Sequence, residues 1–248
     1  MIYYEKYGNE FNPVVILLHD SESVYCFSKE CDYLSRNYCA IVPHLPGYGR
    51  NPEKMFSTER ALEQIAELAA SFGKPVTLVG ASLGAELAFH LICKNTELFN
   101  GCIMISPWLE KDISGIEKAL AQLNEREKVI KNKLLSGISG LTMGLSKDEL
   151  RDYNDFCKNV SMNSLVAAID NGISYEKYPE YKELKMPLLA LCGLSESMEI
   201  RNSVRRLSKD NPNCSYDMWD GVSKKLPIKA AARLSKIIEE FIDKAYAK

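Results

Sequence analysis

The chain has 248 residues, 46% hydrophobic and 26% charged, with a formal net charge of -2. That is room for one medium-sized domain with a sizeable core, or one domain carrying a smaller insertion. The balanced charge argues against a nucleic-acid-binding face, no apolar run approaches the length of a membrane span, and the opening MIYYEKYGNEF lacks the basic start and apolar stretch of a signal peptide.

A cytosolic protein with no nucleic-acid or membrane partner is therefore expected, its oligomeric state left open. The 8 cysteines contain no CxxC pair, so neither a zinc site nor a redox motif is predicted, and no cofactor is expected. Cys102 and Cys192 lie in apolar runs and read as small core residues.

In chain order, Ile2–Tyr7 reads as an edge strand. The runs Val14–Leu18, Cys39–Val42, Val76–Gly80, Cys102–Ile105, Pro187–Cys192 and Cys214–Trp219 are of strand length and continuously apolar or nearly so, as strands covered on both faces must be. Helix-like segments alternate with them, which predicts a mostly parallel sheet with helices on both faces. One such helix is predicted over Ser57–Phe72, with Ser57 as N-cap. Arg201, Arg205 and Arg206 read as a solvated helix face. A final helix is predicted from Pro227, repeating Ile228, Ala231, Leu234, Ile238 and Phe241 at helical spacing.

The alternation breaks between 110 and 183, where the chain is polar and helix-like with no convincing strand. A stretch this long between core strands reads as an inserted helical cap rather than a structureless loop. Ser146 and Glu149 form a capping-box pattern within it. The expected division is 1–109 with 184–248 as core and 110–183 as cap, with substrate selection residing in the cap.

The most informative segment is Gly80-Ala81-Ser82-Leu83-Gly84. It follows an apolar strand and opens an amphipathic helix, the setting in which a G-x-S-x-G pattern displays a serine on a strained turn. The glycines are needed because a Cβ at either would collide with the adjoining strand or helix.

On these residues the chain resembles the α/β-hydrolase superfamily over nearly its whole length. Leu17-Leu18-His19-Asp20 resembles that family's His-Gly segment, which implies oxyanion donors at the Leu83 N–H and near Asp20 or Ser21. Asp20 stands where the family prefers glycine; its carboxylate either disfavours an oxyanion or points to solvent. Val42–Arg50 resembles the D-x-x-G-x-G-x-S stretch, with His44 in the aspartate slot. The strand Pro187–Cys192 and Gly193 imply a triad acid at Glu196, with Glu199 as a second candidate.

The resemblance also implies a histidine after the last strand, and there the sequence departs: Lys224 occupies the slot, and no histidine follows His90. A serine hydroxyl needs a neighbouring base. A lysine at its ordinary pKa of about 10.4 is an ammonium without a lone pair, and serves only if desolvation lowers that value by several units. Of the remaining histidines, His19 is the nearest replacement by topology, although the family uses that residue to orient its loop. His44 is expected at the pocket mouth and His90 in packing or at the surface.

Two functions stay open: a small-molecule serine hydrolase of carboxyl-ester type with an atypical or impaired base, or a catalytically degenerate relative that binds a small ligand or partner in the capped pocket.

Overall fold

The computed structural model describes residues 2–142, 144–222 and 225–246, apart from the side chains at 125, 126, 128, 129 and 133. The strands are β1 (Tyr4–Tyr7), β2 (Val14–Leu18), β3 (Cys39–Pro43), β4 (Val76–Ala81), β5 (Phe99–Ile105), β6 (Leu188–Gly193) and β7 (Cys214–Trp219). They form one seven-stranded sheet in the order β1-β3-β2-β4-β5-β6-β7. Every pairing is parallel except that of β1 with β3.

Every residue of β2, β3 and β4 is buried, which is why their sequences are apolar runs interrupted only by Thr77. The two edges differ: β1 alternates exposed and half-buried positions, and the middle of β7 is exposed. The chain order reverses where β2 lies beside β4, so the loops after these two strands diverge and leave a crevice at their carboxyl ends.

The helices are α1 (Ser28–Leu34), α2 (Thr58–Ser71) and α3 (Leu83–Lys94); α4 (Ile113–Lys131), α5 (Lys133–Thr142), α6 (Lys147–Asn159) and α7 (Met162–Ile169) between β5 and β6; then α8 (Met198–Asp210), α9 (Leu226–Lys229) and α10 (Ala231–Tyr246). Ser57 caps α2, its side chain accepting from the Arg60 N–H at 3.3 Å. Ser146 and Glu149 close their capping box at the start of α6.

Two expectations need correction. The final helix is broken, because Ala230 leaves helical geometry at φ -125 and separates α9 from α10; the apolar repeat gives no sign of this, since the break preserves the inward face. Arg206 is half-buried rather than freely solvated: it pairs with Glu110 and Glu176, both at 2.7 Å, and lies 4.0 Å over the Tyr175 ring.

The four helices between β5 and β6 are fastened to the sheet layer at several points. Arg50 pairs with Asp152 at 2.5 Å, Ser28 donates to Glu149 at 2.8 Å, and the Phe56 N–H donates to Ser164 at 3.0 Å. Tyr48 stacks on Phe156 with ring centroids 5.2 Å apart. The most buried fastening joins α3 to both ends of the insertion. Lys111, before α4, lies 2.6 Å from Glu86 on α3, and both side chains are 5% exposed. Its ammonium also donates to the Ile169 carbonyl at 3.2 Å and to Asn171 at 2.9 Å, while Asn171 donates to Glu86. All three ammonium donors are thus satisfied, as a buried charge requires.

Glu30 on α1 lacks such a solution. It is fully buried, and neither carboxyl oxygen reaches a partner on another residue. Burial pushes its acid well above the ordinary 4.5, with its own amide and Lys29 opposing. The native state therefore keeps a proton that the unfolded chain releases above about pH 4.5, and stability falls as pH rises through that window by up to about 1.4 kcal/mol per unit. Glu30→Gln is expected to remove this slope. Urea unfolding at pH 5 and pH 8 should show a stability gain over the parent that is larger at pH 8; equal gains would mean that Glu30 holds no extra proton.

Candidate active site

The loops after β2, β4, β5 and β6 meet at the carboxyl end of the sheet. Ser82 occupies the turn between β4 and α3 at φ 51, ψ -113, a conformation that a side chain adopts only under constraint. The constraints are visible. The Ser82 N–H donates to the Ile105 carbonyl at 2.8 Å, and the Ser82 carbonyl accepts from Ala85 and Glu86 at 2.9 and 3.1 Å. A Cβ at Gly80 would be driven into the Gly84 carbonyl and lie 2.6 Å from the Ala85 nitrogen; one at Gly84 would be driven into the Leu18 carbonyl and lie 2.8 Å from the His19 oxygen. Leu83 is the first residue of α3, so its N–H has no carbonyl to bond within the helix.

Across the crevice, Asp20 Oδ1 accepts from the N–H groups of Glu22 and Ser23 at 2.7 and 2.8 Å. One oxygen of this carboxylate is spent on fixing the loop, yet Asp20 and Ser21 both line the same cavity as Ser82.

Glu196 is buried in the loop after β6. Its Oε1 accepts from Ser106 Oγ at 2.6 Å and from the Gly193 N–H at 2.9 Å. Ser106, at the end of β5, is itself at φ 53. Glu199 belongs to the first turn of α8, where Ser197 holds its carboxyl below the usual range; it does not line the cavity.

The histidines are committed elsewhere. His19 is fully buried, with Nδ1 2.6 Å from the Asp20 carbonyl and Nε2 accepting from the Leu45 N–H at 3.1 Å. Those bonds fix the tautomer with the proton on Nδ1, and burial lowers its pKa to about 3. His44 is buried rather than at a pocket mouth; its Nδ1 accepts from the Arg50 N–H at 2.8 Å, and Glu5 lies 3.5 Å from Nε2. His90 sits 2.7 Å from the Tyr178 hydroxyl.

Lys224 lies outside the described residues. Its neighbour Lys225 does line the cavity, 3.7 Å from Glu22. Sequence reasoning missed Lys225, Glu22, Trp108 and Ser106. The two adjacent lysines were a signal for the first; nothing local marks the others, which come from the separate loops after β2 and β5.

The cavity encloses about 250 Å³ between the sheet and the helical insertion. Its polar end holds Ser82, Asp20, Ser21, Glu22, Trp108 and Lys225. The opposite wall is mainly apolar, with Leu123 from α4, Leu135 from α5, Phe156 from α6 and Leu165 from α7. A nitrogen or oxygen head group therefore fits beside Ser82 and a short apolar tail beneath the helices.

Comparison with known proteins follows the same line. The family profile described as the α/β hydrolase fold matches residues 13–134. Among solved structures, the chain is similar to MenH from S. aureus (17% identity, 99% of this chain and 100% of that chain, TM-score 0.75). It is also similar to a thermophilic esterase from Thermogutta terrifontis (16% identity, 98% and 93%, TM-score 0.70). A lipase-esterase related protein from Clostridium acetobutylicum gives 18% identity over 97% and 99%, with TM-score 0.73. No curated protein matches the sequence.

Proposed function

We propose that this chain, which has the α/β-hydrolase fold, takes a small molecule with an apolar tail under its helical cap and sets a carboxyl-ester-type head group against Ser82, in a site whose base is atypical or impaired. One observation carries this reading: Ser82, on its constrained turn, borders an apolar-walled cavity while all three histidines are bonded elsewhere.

The chemistry follows from what remains. The Leu83 N–H and the Ser21 region supply donors for a developing oxyanion, and each such donor is worth about a hundred- to a thousandfold in rate. Proton removal from Ser82 is the weak step. Lys225 is the amine that the described residues bring to the cavity, and it is engaged with Glu22. Without a base, a serine hydrolase keeps about a thousand- to ten-thousandfold over water.

A fluorophosphonate probe tests this directly. Slow labelling that vanishes in Ser82→Ala is expected, with hydrolysis of p-nitrophenyl butyrate no faster than that residual level. Complete labelling within seconds would show an intact base and refute the impairment. Labelling that survives in Ser82→Ala would remove the serine from its role. A binding protein without chemistry is the second reading, favoured by Asp20 in the family's glycine slot; it predicts no Ser82-dependent label at all.

A further inference from the structure

Helix α5 wears its side chains inside out. Ser136 is buried and donates to Asn154 of α6 at 2.7 Å. Gly140 lies against Leu150 and Tyr153 of α6, where a Cβ would come 3.2 Å from Tyr153 Cδ1. Leu134, Ile138 and Leu141 instead face outward, 72%, 51% and 64% exposed, and a Cβ at Gly137 between them would meet nothing within 4 Å. A helix with one packing face puts its apolar residues inward. The reverse arrangement calls for a second apolar surface outside the molecule.

The charge pattern indicates which surface. Residues 128–147 contain Lys128, Lys131, Lys133 and Lys147 and no Asp or Glu, in a chain whose net charge is -2. Lys147 is exposed at the end of this stretch. Lys131 reaches the Val160 carbonyl at 2.7 Å and so bridges α4 to the end of α6. Asp148 and Glu149 come next, with Glu149 taken up by the Ser146 N–H and by Ser28. A second copy docked through this helix about a two-fold axis would set lysines against lysines. An anionic lipid surface supplies apolar depth and opposite charge together.

We propose that α5 lies in the surface of an anionic bilayer, with Leu134, Ile138 and Leu141 inserted and the basic 128–147 segment of the sequence drawn toward the head groups. The contact is peripheral, since no described helix is long and apolar enough to cross a membrane. It departs from the expectation of no membrane partner, which rested on the lack of a span. Because Leu135 and Ser139 of the same helix line the Ser82 cavity, the adsorbed surface would border that cavity. The proposal does not depend on Ser82 being reactive.

Flotation with lipid vesicles tests it. Vesicles containing one-third phosphatidylglycerol are expected to bind the protein about tenfold or more tightly than pure phosphatidylcholine, with binding weakened by added salt. Leu134→Gln, Ile138→Gln and Leu141→Gln combined should reduce binding at least tenfold at an unchanged melting temperature. As a second readout, Ile138→Cys can be labelled selectively with an environment-sensitive fluorophore, because all 8 native cysteines are buried. A blue shift on adding the anionic vesicles is expected. Absent or charge-independent binding, or an unshifted label, overturns the proposal. So does concentration-dependent self-association that the triple variant abolishes, which would give this face to a second copy.

Discussion

Lys111→Met is expected to lower the stability of this protein by about 3–5 kcal/mol, the cost of removing one partner from a buried ion pair. The Glu86 carboxyl is already raised by burial and drawn back by Lys111 and Asn171; without the ammonium it stays buried with only Asn171 and the Trp108 backbone to bond it. The Ile169 carbonyl loses its Lys111 donor as well. For a chain of this size the loss corresponds to about 6–20 °C in melting temperature. Adding Glu86→Leu to Lys111→Met should recover most of it, because a hydrophobic replacement of the whole pair avoids the stranded charge.

Denaturant unfolding of the parent, both single variants and the double variant completes the cycle. Additive losses would show that the pair acts as two independent residues. The position of the pair gives the result wider reach. Glu86 lies one helical turn beyond Ser82, and Lys111 sits 5.4 Å over the Trp108 ring in the cavity wall. A single buried charge thus ties the helix behind the serine to both ends of the helical insertion.

Gly84→Ala is expected to be at least as damaging, at more than about 3 kcal/mol, the upper part of the range for overpacking. The atoms in the way are backbone, the Leu18 carbonyl group and the His19 oxygen, so no side chain can rotate aside. Either α3 moves off β2, displacing Ser82 from the crevice, or the chain fails to fold. A melting temperature more than about 6 °C below the parent, or loss of soluble protein, is expected. A variant that melts with the parent would show that α3 shifts at little cost, and would undo the steric account of this turn.

Much of the architecture was legible before any coordinates, for an identifiable reason. Strands β2 to β6 are covered on both faces, so burial imposes continuous apolar runs that differ from the 3.6-residue repeat of the helices between them. The Ser57 cap and the Ser146–Glu149 box were equally readable, because the interacting groups lie within one turn of each other. The break at Ala230 escaped, since it leaves the inward-facing residues in register.

What the sequence by itself determined is the order of strands and helices, the glycines around Ser82, and the lack of any histidine beyond His90. Each of these is local, or is a matter of composition. The tertiary structure alone decided that His19 and His44 are consumed by backbone bonds, that Ser106 meets Glu196 from 90 residues away, that Lys225 comes to the cavity, and that α5 turns Leu134, Ile138 and Leu141 outward. These facts depend on which loops and helices converge in space, and no periodicity along the chain encodes the distance between two loops.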